Sequence, residues 1–248
     1  MRLTFGFLAC LLAGLGSAIA AEGVIGRDDR VATEPDVWPL MTVGRLVFKT
    51  GGFCTATLVA PDAILMARHC IPKAKGQSGP PRARLTLFVA GYSKGRHKGT
   101  AEGQSYVLGS DHPTAIPATM QGGGLASSFD DWALVKVTSY DGSLNGIEPA
   151  VPFEGDLSDL VNKPIMLAGY HHDRPSVLSV QKNCRVLGVA PGTPLFLHDC
   201  DLKGRASGSP IFIGDGKDTR LIGIALAYSK LADGSTVGIG RAVPALNP

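Results

Sequence analysis

Short apolar, β-branched runs recur along the whole chain, each bounded by turn formers, and they leave little room for anything but strands. Residues 40–48 read LMTVGRLVF, 55–67 TATLVAPDAILMA, 83–92 ARLTLFVAGY, 131–137 DWALVKV and 163–170 KPIMLAGY. Further on come 184–190 CRVLGVA, 209–214 SPIFIG, 219–228 TRLIGIALAY and 237–244 VGIGRAVP. The 32 glycines and 17 prolines are spread between these runs rather than gathered in one tract, which is the pattern of many antiparallel strands joined by turns. No sustained 3.6-residue apolar period appears, and helices do not alternate regularly with strands, so a doubly wound α/β fold is not expected. Only 154–163, EGDLSDLVNK, reads as a short helix. The expectation is an all-β sandwich or barrel protein.

The polar, Gly/Pro-containing stretch 138–156, TSYDGSLNGIEPAVPFEGD, reads as a linker. With the linker placed at 141–156, it separates an N-terminal unit, 21–140, from a C-terminal unit, 157–248, each long enough for a small β-barrel core. The tracts 73–84, KAKGQSGPPRAR, and 112–124, HPTAIPATMQGGG, read as exposed loops. Residues 1–20, MRLTFGFLACLLAGLGSAIA, have a charged start, an apolar middle and a small-x-small end. Those are the parts of a signal peptide cleaved before Ala21. A secreted or periplasmic protein follows.

Cys10 leaves with that segment, and Cys54, Cys70, Cys184 and Cys200 remain. An even count in an exported chain argues for two disulfides. Of the three possible pairings, the local one, Cys54–Cys70 with Cys184–Cys200, closes two similar loops, each stabilising by about 3 kcal/mol. No two of these cysteines stand at the short spacing of a zinc pair, and neither a calcium loop nor a completed His site is visible around His171, His172 and Asp173, so no metal or other cofactor is expected. Formal net charge is only +3. Without a basic run interleaved with aromatics, nucleic acid is not an expected partner. No apolar stretch of about 18 residues follows the leader, so no membrane association is expected after its removal.

A serine between small residues, Ser207 in GRASGSPIF (204–212), raises the question of activation. A hydroxyl becomes a nucleophile when a base stands within hydrogen-bond reach and an acceptor fixes the tautomer of that base. Among six histidines, His69 in ILMARHC ends an apolar strand beside Cys70. A Cys54–Cys70 bridge would hold its backbone to the preceding strand. Asp131 opens the strand DWALVKV, where an acid buried alone is costly and a histidine N–H would satisfy it. Its neighbour Asp130 would point the other way along an extended chain.

In combination these segments resemble the chymotrypsin-fold, trypsin-like serine proteases, and within them the bacterial V8-like glutamyl endopeptidase branch. CTATLVAPDAILMARHC resembles the family's Cys-x-x-Thr-Leu strand leading to Ala-x-His-Cys. DWALVKV, LAGYHHDRP and ASGSPIF resemble its Asp-x-Ala-Leu-Val, Gly-Tyr-x-x-Asp-x-Pro and Ser-Gly-Ser-Pro segments, and VIGRDDRV (24–31) its mature N-terminal segment. The match spans roughly residues 24–243. The resemblance implies two antiparallel six-stranded β-barrels with the active site in the cleft between them, the first carrying His69 and Asp131 and the second Ser207. It implies attack by Ser207, proton transfer by His69, orientation by Asp131, and an oxyanion hole made by the backbone N–H groups of Arg205 and Ser207. Ser209 is the rival nucleophile. Protein or peptide substrates and a monomer are expected.

The pattern also has departures. Ala206 stands where trypsin-like members carry the aspartate that pairs with a new N-terminal amine. Arg205 replaces the usual glycine. Ala225 replaces the histidine of glutamate-selective members, and Tyr228 falls where a glycine opens the primary pocket. Asp201 is a candidate for the base of that pocket. Arg205 and Tyr228 together motivate an alternative, a catalytically weak or inactive protease-fold protein that binds a partner without cleaving it.

Overall fold

The structure, a computed structural model, describes residues 23–49, 51–71, 86–109, 129–231 and 233–246. The expected signal peptide, Cys10, the two expected loops at 73–84 and 112–124, and His112 lie outside the described residues.

Thirteen strands are present among the described residues. In the first half, β2 (Val43–Phe48), β3 (Phe53–Ala60), β4 (Ala63–Met66), β5 (Thr86–Ala90), β6 (Gly99–Leu108) and β7 (Ala133–Thr138) close into a barrel in the order β2-β3-β4-β7-β6-β5. In the second half, β8 (Pro164–Gly169), β9 (Leu178–Val189), β10 (Leu195–His198), β11 (Pro210–Ile213), β12 (Arg220–Lys230) and β13 (Thr236–Ala242) run in the order β9-β10-β13-β12-β11-β8, and β8 pairs back onto β9 to close a second six-stranded barrel. A short β1 (Val31–Thr33) adds to the edge of β9. All of these ladders are antiparallel, and closure removes the exposed sheet edges that would otherwise invite aggregation.

Each barrel has its own apolar filling, and a third cluster lies between them. Leu46, Leu58, Ile64, Met66 and Phe88 fill the first; Ile165, Leu167, Phe196, Ile211 and Ile222 fill the second. The seam joins Val43, Leu65, Phe129 and Leu134 from the first half to Tyr170, Leu178, Phe212, Ile224 and Leu226 from the second. This explains why β4 reads as an unbroken apolar run. Ile64 and Met66 face the barrel interior, Ala63 and Leu65 face the seam, and all four are buried.

The segment expected to link the two units is stitched to both. Leu144 and Ile147 join the first barrel's core. The Ala150 N–H donates to Leu58 O, and Phe153 N–H donates to Leu221 O. The helix expected over 154–163 is reduced to a single 3₁₀ turn, Leu157–Leu160, with the Asp156 side chain accepting Ser158 N–H at 2.8 Å. That turn lacks the length needed to sustain an α-helix.

Candidate active site

Strand pairing carries His69 and Asp131 to the same end of the first barrel. Met66 is the partner of Ala133 across the antiparallel β4–β7 ladder. Residues following Met66 and residues preceding Ala133 therefore emerge together. His69 sits on the 3₁₀ turn Arg68–Cys70 directly after β4, and the Cys54–Cys70 disulfide fastens that turn to β3. Asp131 then accepts two bonds from one residue: the His69 backbone N–H reaches Oδ1 at 2.7 Å, and the ring Nδ1 reaches Oδ2 at 2.6 Å. An ionised carboxylate only accepts, so Nδ1 carries the hydrogen and the lone pair is left on Nε2. The Asp131 side chain is 13% exposed and the His69 ring 47%, which leaves the ring accessible to a reacting group.

The segment carrying Asp131 is braced from both barrels. Arg68 Nη1 donates to Gly109 O, and Gly109 N–H donates to Trp132 O at 3.0 Å. From the second barrel, buried Arg241 donates from Nε to Phe129 O at 2.7 Å and lies over the Trp132 ring at 5.3 Å. Burial lowers the Arg241 pKa to about 10, while the nearby charges of Asp130 and Asp131 act to raise it.

Ser207 arrives from the second barrel on the loop before β11. Its carbonyl accepts Thr55 N–H at 3.2 Å, and Cys70 Sγ lies 3.9 Å from the same oxygen. Gly208 has φ +82°, and a Cβ there would stand 2.3 Å from Thr55 O and 3.0 Å from Ala67 N. Glycine alone permits both the left-handed turn and this approach to the strand leading into His69. The Ser207 hydroxyl donates to Leu226 O at 3.1 Å. Among the described residues, no hydrogen bond joins it to His69. The structure thus joins His69 to Asp131 and brings the Ser207 backbone against the same disulfide-held turn, with the hydroxyl turned to Leu226. Ser209 is fully buried, and its Oγ lies 1.8 Å from where a Gly169 Cβ would stand, so that hydroxyl faces β8.

The loop around Ser207 alternates between bonded and unbonded N–H groups. Ala206 N–H donates to Lys203 O and Gly208 N–H to Ala225 O. Among the described residues, the N–H groups of Arg205 and Ser207 have no partner. Arg205 adopts φ +71°, a left-handed conformation that costs an L-residue roughly 1–2 kcal/mol. Two histidine positions back this loop. His171 Nδ1 accepts Lys203 N–H at 3.2 Å, and His172 N–H donates to Gly204 O at 2.8 Å. His171 is fully buried, and burial pushes its pKa down to about 3, which keeps the ring neutral and able to accept.

The pocket candidates fare differently. Asp201 is not a pocket base. Its carboxylate is buried and turned to the N-terminal segment, where Oδ1 accepts Ile25 N–H at 2.7 Å and Oδ2 accepts Asp29 N–H at 3.0 Å. Burial raises its pKa, and these two bonds act against the rise. The spacing to Ser207 suggested a pocket; the fold uses the residue as an anchor instead. Ala225 is buried and serves through its backbone, its N–H donating to Ser209 O. Tyr228 is half-buried, with Cδ1 3.2 Å from where a Gly23 Cβ would stand.

Residues outside the reading of the active site support it as well. Arg30, whose side chain is wholly buried, forks between Asp28 and Asp173 at 2.8–3.1 Å, and Arg174 closes the cluster on Asp28 and Arg30 O. Asp173 is therefore an ion-pair partner. His198 is buried and packed against Gly238, its Nδ1 accepting Cys200 N–H, and His97 is exposed. The second disulfide joins Cys184 to Cys200 beside it. Among the described residues there is no grouping of three metal-ligating side chains, and no helix long and apolar enough to cross a membrane.

A family model of the trypsin-like peptidase domain matches residues 54–224, a span that contains His69, Asp131 and Ser207. Among solved structures, a glutamyl endopeptidase superposes with a TM-score of 0.66 at 21% identity, covering 90% of this chain and 94% of that one. The protease Anisep from Arthrobacter nicotinovorans gives 0.60 at 16% identity, covering 86% and 93%. The thermostable serine protease AL20 from an extremophilic microorganism gives 0.56 at 16%, covering 82% and 91%. These likenesses establish the fold of two closed barrels. Together with the family match over most of the chain, they mean that the protein belongs to the trypsin-like peptidase domain family, whose members are serine-type endopeptidases.

Proposed function

We propose that the protein is an exported endopeptidase that cleaves peptide bonds through an acyl-enzyme on Ser207. The observation that carries this reading is the double hold of Asp131 on His69, which leaves the Nε2 lone pair on an accessible ring directed away from the carboxylate. The mechanism requires the Ser207 side chain to turn from Leu226 O toward that lone pair. Catalytic hydrogen bonds commonly tighten only with substrate bound.

In the first half-reaction the Ser207 Oγ–carbon bond forms while His69 Nε2 takes the hydroxyl proton. The carbon–nitrogen bond then breaks, and His69 returns that proton to the departing amine. Water, deprotonated by the same ring, hydrolyses the ester and restores Ser207. Asp131 holds the tautomer and stabilises the imidazolium. The unpartnered N–H groups of Arg205 and Ser207 bind the negative oxygen that forms in between; losing one such donor costs on the order of 100- to 1000-fold in rate. No cofactor takes part. The leader-like residues 1–20 and the two disulfides support secretion or delivery to the periplasm. Residues 21–140 and 157–248 act as the two halves of a monomeric enzyme, without nucleic acid or membrane as partner.

A peptide library read by mass spectrometry tests the reading. The oxidised protein cleaves internal peptide bonds, and Ser207→Ala does not. The alternative of binding without cleavage is favoured by the Ser207–Leu226 bond and by the left-handed Arg205. It predicts an intact library with both proteins.

A further inference from the structure

Arg205 occupies a left-handed position that glycine would fill without strain. Residues held in such conformations persist where the side chain or its surroundings have a use for them. The use is visible one ring away. The Arg205 guanidinium lies 5.0 Å from the centre of the Phe53 ring. Arg45 lies 4.2 Å from the centre of the same ring and 4.7 Å from that of Tyr92. Two guanidiniums are therefore gathered around one buried phenylalanine, next to the loop that carries Ser207.

Neither cation is neutralised among the described residues. Among the described residues, Arg30 and Arg174 pair with Asp28 and Asp173, and Arg96 with Glu34, whereas Arg45 and Arg205 form no ion pair. The Arg45 Nε–H is buried without a hydrogen-bond partner, and a buried donor without an acceptor is costly. Stacking on aromatic faces fixes the guanidinium planes while leaving their edge N–H groups able to take a carboxylate in a fork. In the turn between β2 and β3, Gly51 and Gly52 are exposed, and a Cβ on Gly52 would stand 3.9 Å from Arg205 Nη1.

The position relative to the reaction follows from the chain. Phe53 directly precedes Cys54, which is bonded to Cys70, and Cys70 follows His69. The departing amine takes its proton from His69, so the leaving peptide lies beside this disulfide-held turn. We propose that Arg45 and Arg205, gathered around Phe53, form a receptor for an acidic side chain one or two residues beyond the scissile bond. This rests on the endopeptidase reading of the site and adds a preference to it.

The test uses paired peptides that differ only in Asp or Glu against Asn or Gln at those two positions. Two readouts are compared: kcat/KM with the wild-type enzyme, and equilibrium binding by fluorescence anisotropy with Ser207→Ala. The acidic member is favoured about tenfold in both, in line with a charge-assisted fork, and the advantage shrinks as salt rises. Arg45→Gln and Arg205→Gln each reduce the acidic-to-neutral ratio to below about twofold. Thermal melts confirm that the variants are folded, and the exposed Arg205 provides the test if Arg45→Gln is not. Equal handling of acidic and neutral peptides in both readouts overturns the proposal. Acid-selective binding without turnover supports the receptor and counts instead against the endopeptidase reading.

Discussion

The buried Arg241 guanidinium and the Phe129 carbonyl are joined by a 2.7 Å hydrogen bond that ties the last strand of the second barrel to the segment carrying Asp131. The two residues are 112 positions apart in sequence. The orientation of His69 is therefore set through Asp131 by both halves of the molecule. Arg241→Met leaves the Phe129 carbonyl without this donor and removes a charge-assisted bond, so unfolding free energy falls by about 2–3 kcal/mol in urea titration. kcat/KM falls with it, and Arg241→Lys, which keeps the charge, lies between wild type and Met.

Arg205→Gly relieves the left-handed strain and removes the contact with Phe53. The first effect is worth roughly 1–2 kcal/mol and the second about 0.5–1 kcal/mol in the opposite direction. The variant is the more stable protein by about 0.5–1 kcal/mol, read from the denaturation midpoint at unchanged slope.

Gly208→Ala acts in the other sense. A methyl group would meet Thr55 O at 2.3 Å while the backbone stays at φ +82°. Strain and clash together cost roughly 3 kcal/mol or more. Activity is lost with it, because the loop can relax only by moving Ser207 off β3.

The Arg30 cluster contributes to acid stability. Hydrogen bonds from Arg30 hold Asp173 down to about 2, and Asp28 is lowered chiefly by the same side chain. Both folded values lie below the unfolded value of about 3.9. The stabilisation is thus complete above about pH 4 and is lost as pH falls toward 2. Asp201, raised by burial, works against this trend. Asp173→Asn flattens the dependence of Tm on pH in that window, and it lowers Tm at pH 7 because Arg30 keeps only part of its pairing. An unchanged acid limb contradicts this assignment.

The strands that were legible in the sequence are those whose faces are apolar. β4 announces itself because barrel interior and seam both bury it. β6 does not: its buried positions are Gly99, Ala101 and Gly103, and a Cβ on Gly99 would meet Ser143 O at 2.7 Å. The first half of β9 hides for another reason. Ser179 and Gln181 are polar yet buried, and Gln181 Oε1 accepts the Asp201 N–H at 2.6 Å. Within the site, the meeting of His69 and Asp131 was readable because each ends or opens an apolar strand. The role of Asp201 was not, since its partner Ile25 is 176 residues away and spacing to Ser207 carries no direction. The backing of the active-site loop by His171 and the brace from Arg241 were equally hidden, because both depend on barrel closure.

The proposed mechanism requires the imidazole of His69 to activate the hydroxyl at position 207. Incubation of the oxidised protein with a fluorophosphonate, followed by intact mass and peptide mapping, tests it most directly. One adduct per chain on Ser207, abolished in Ser207→Ala and strongly slowed in His69→Ala, is the predicted result. No adduct on folded protein, or an adduct on Ser209 or elsewhere, would contradict it.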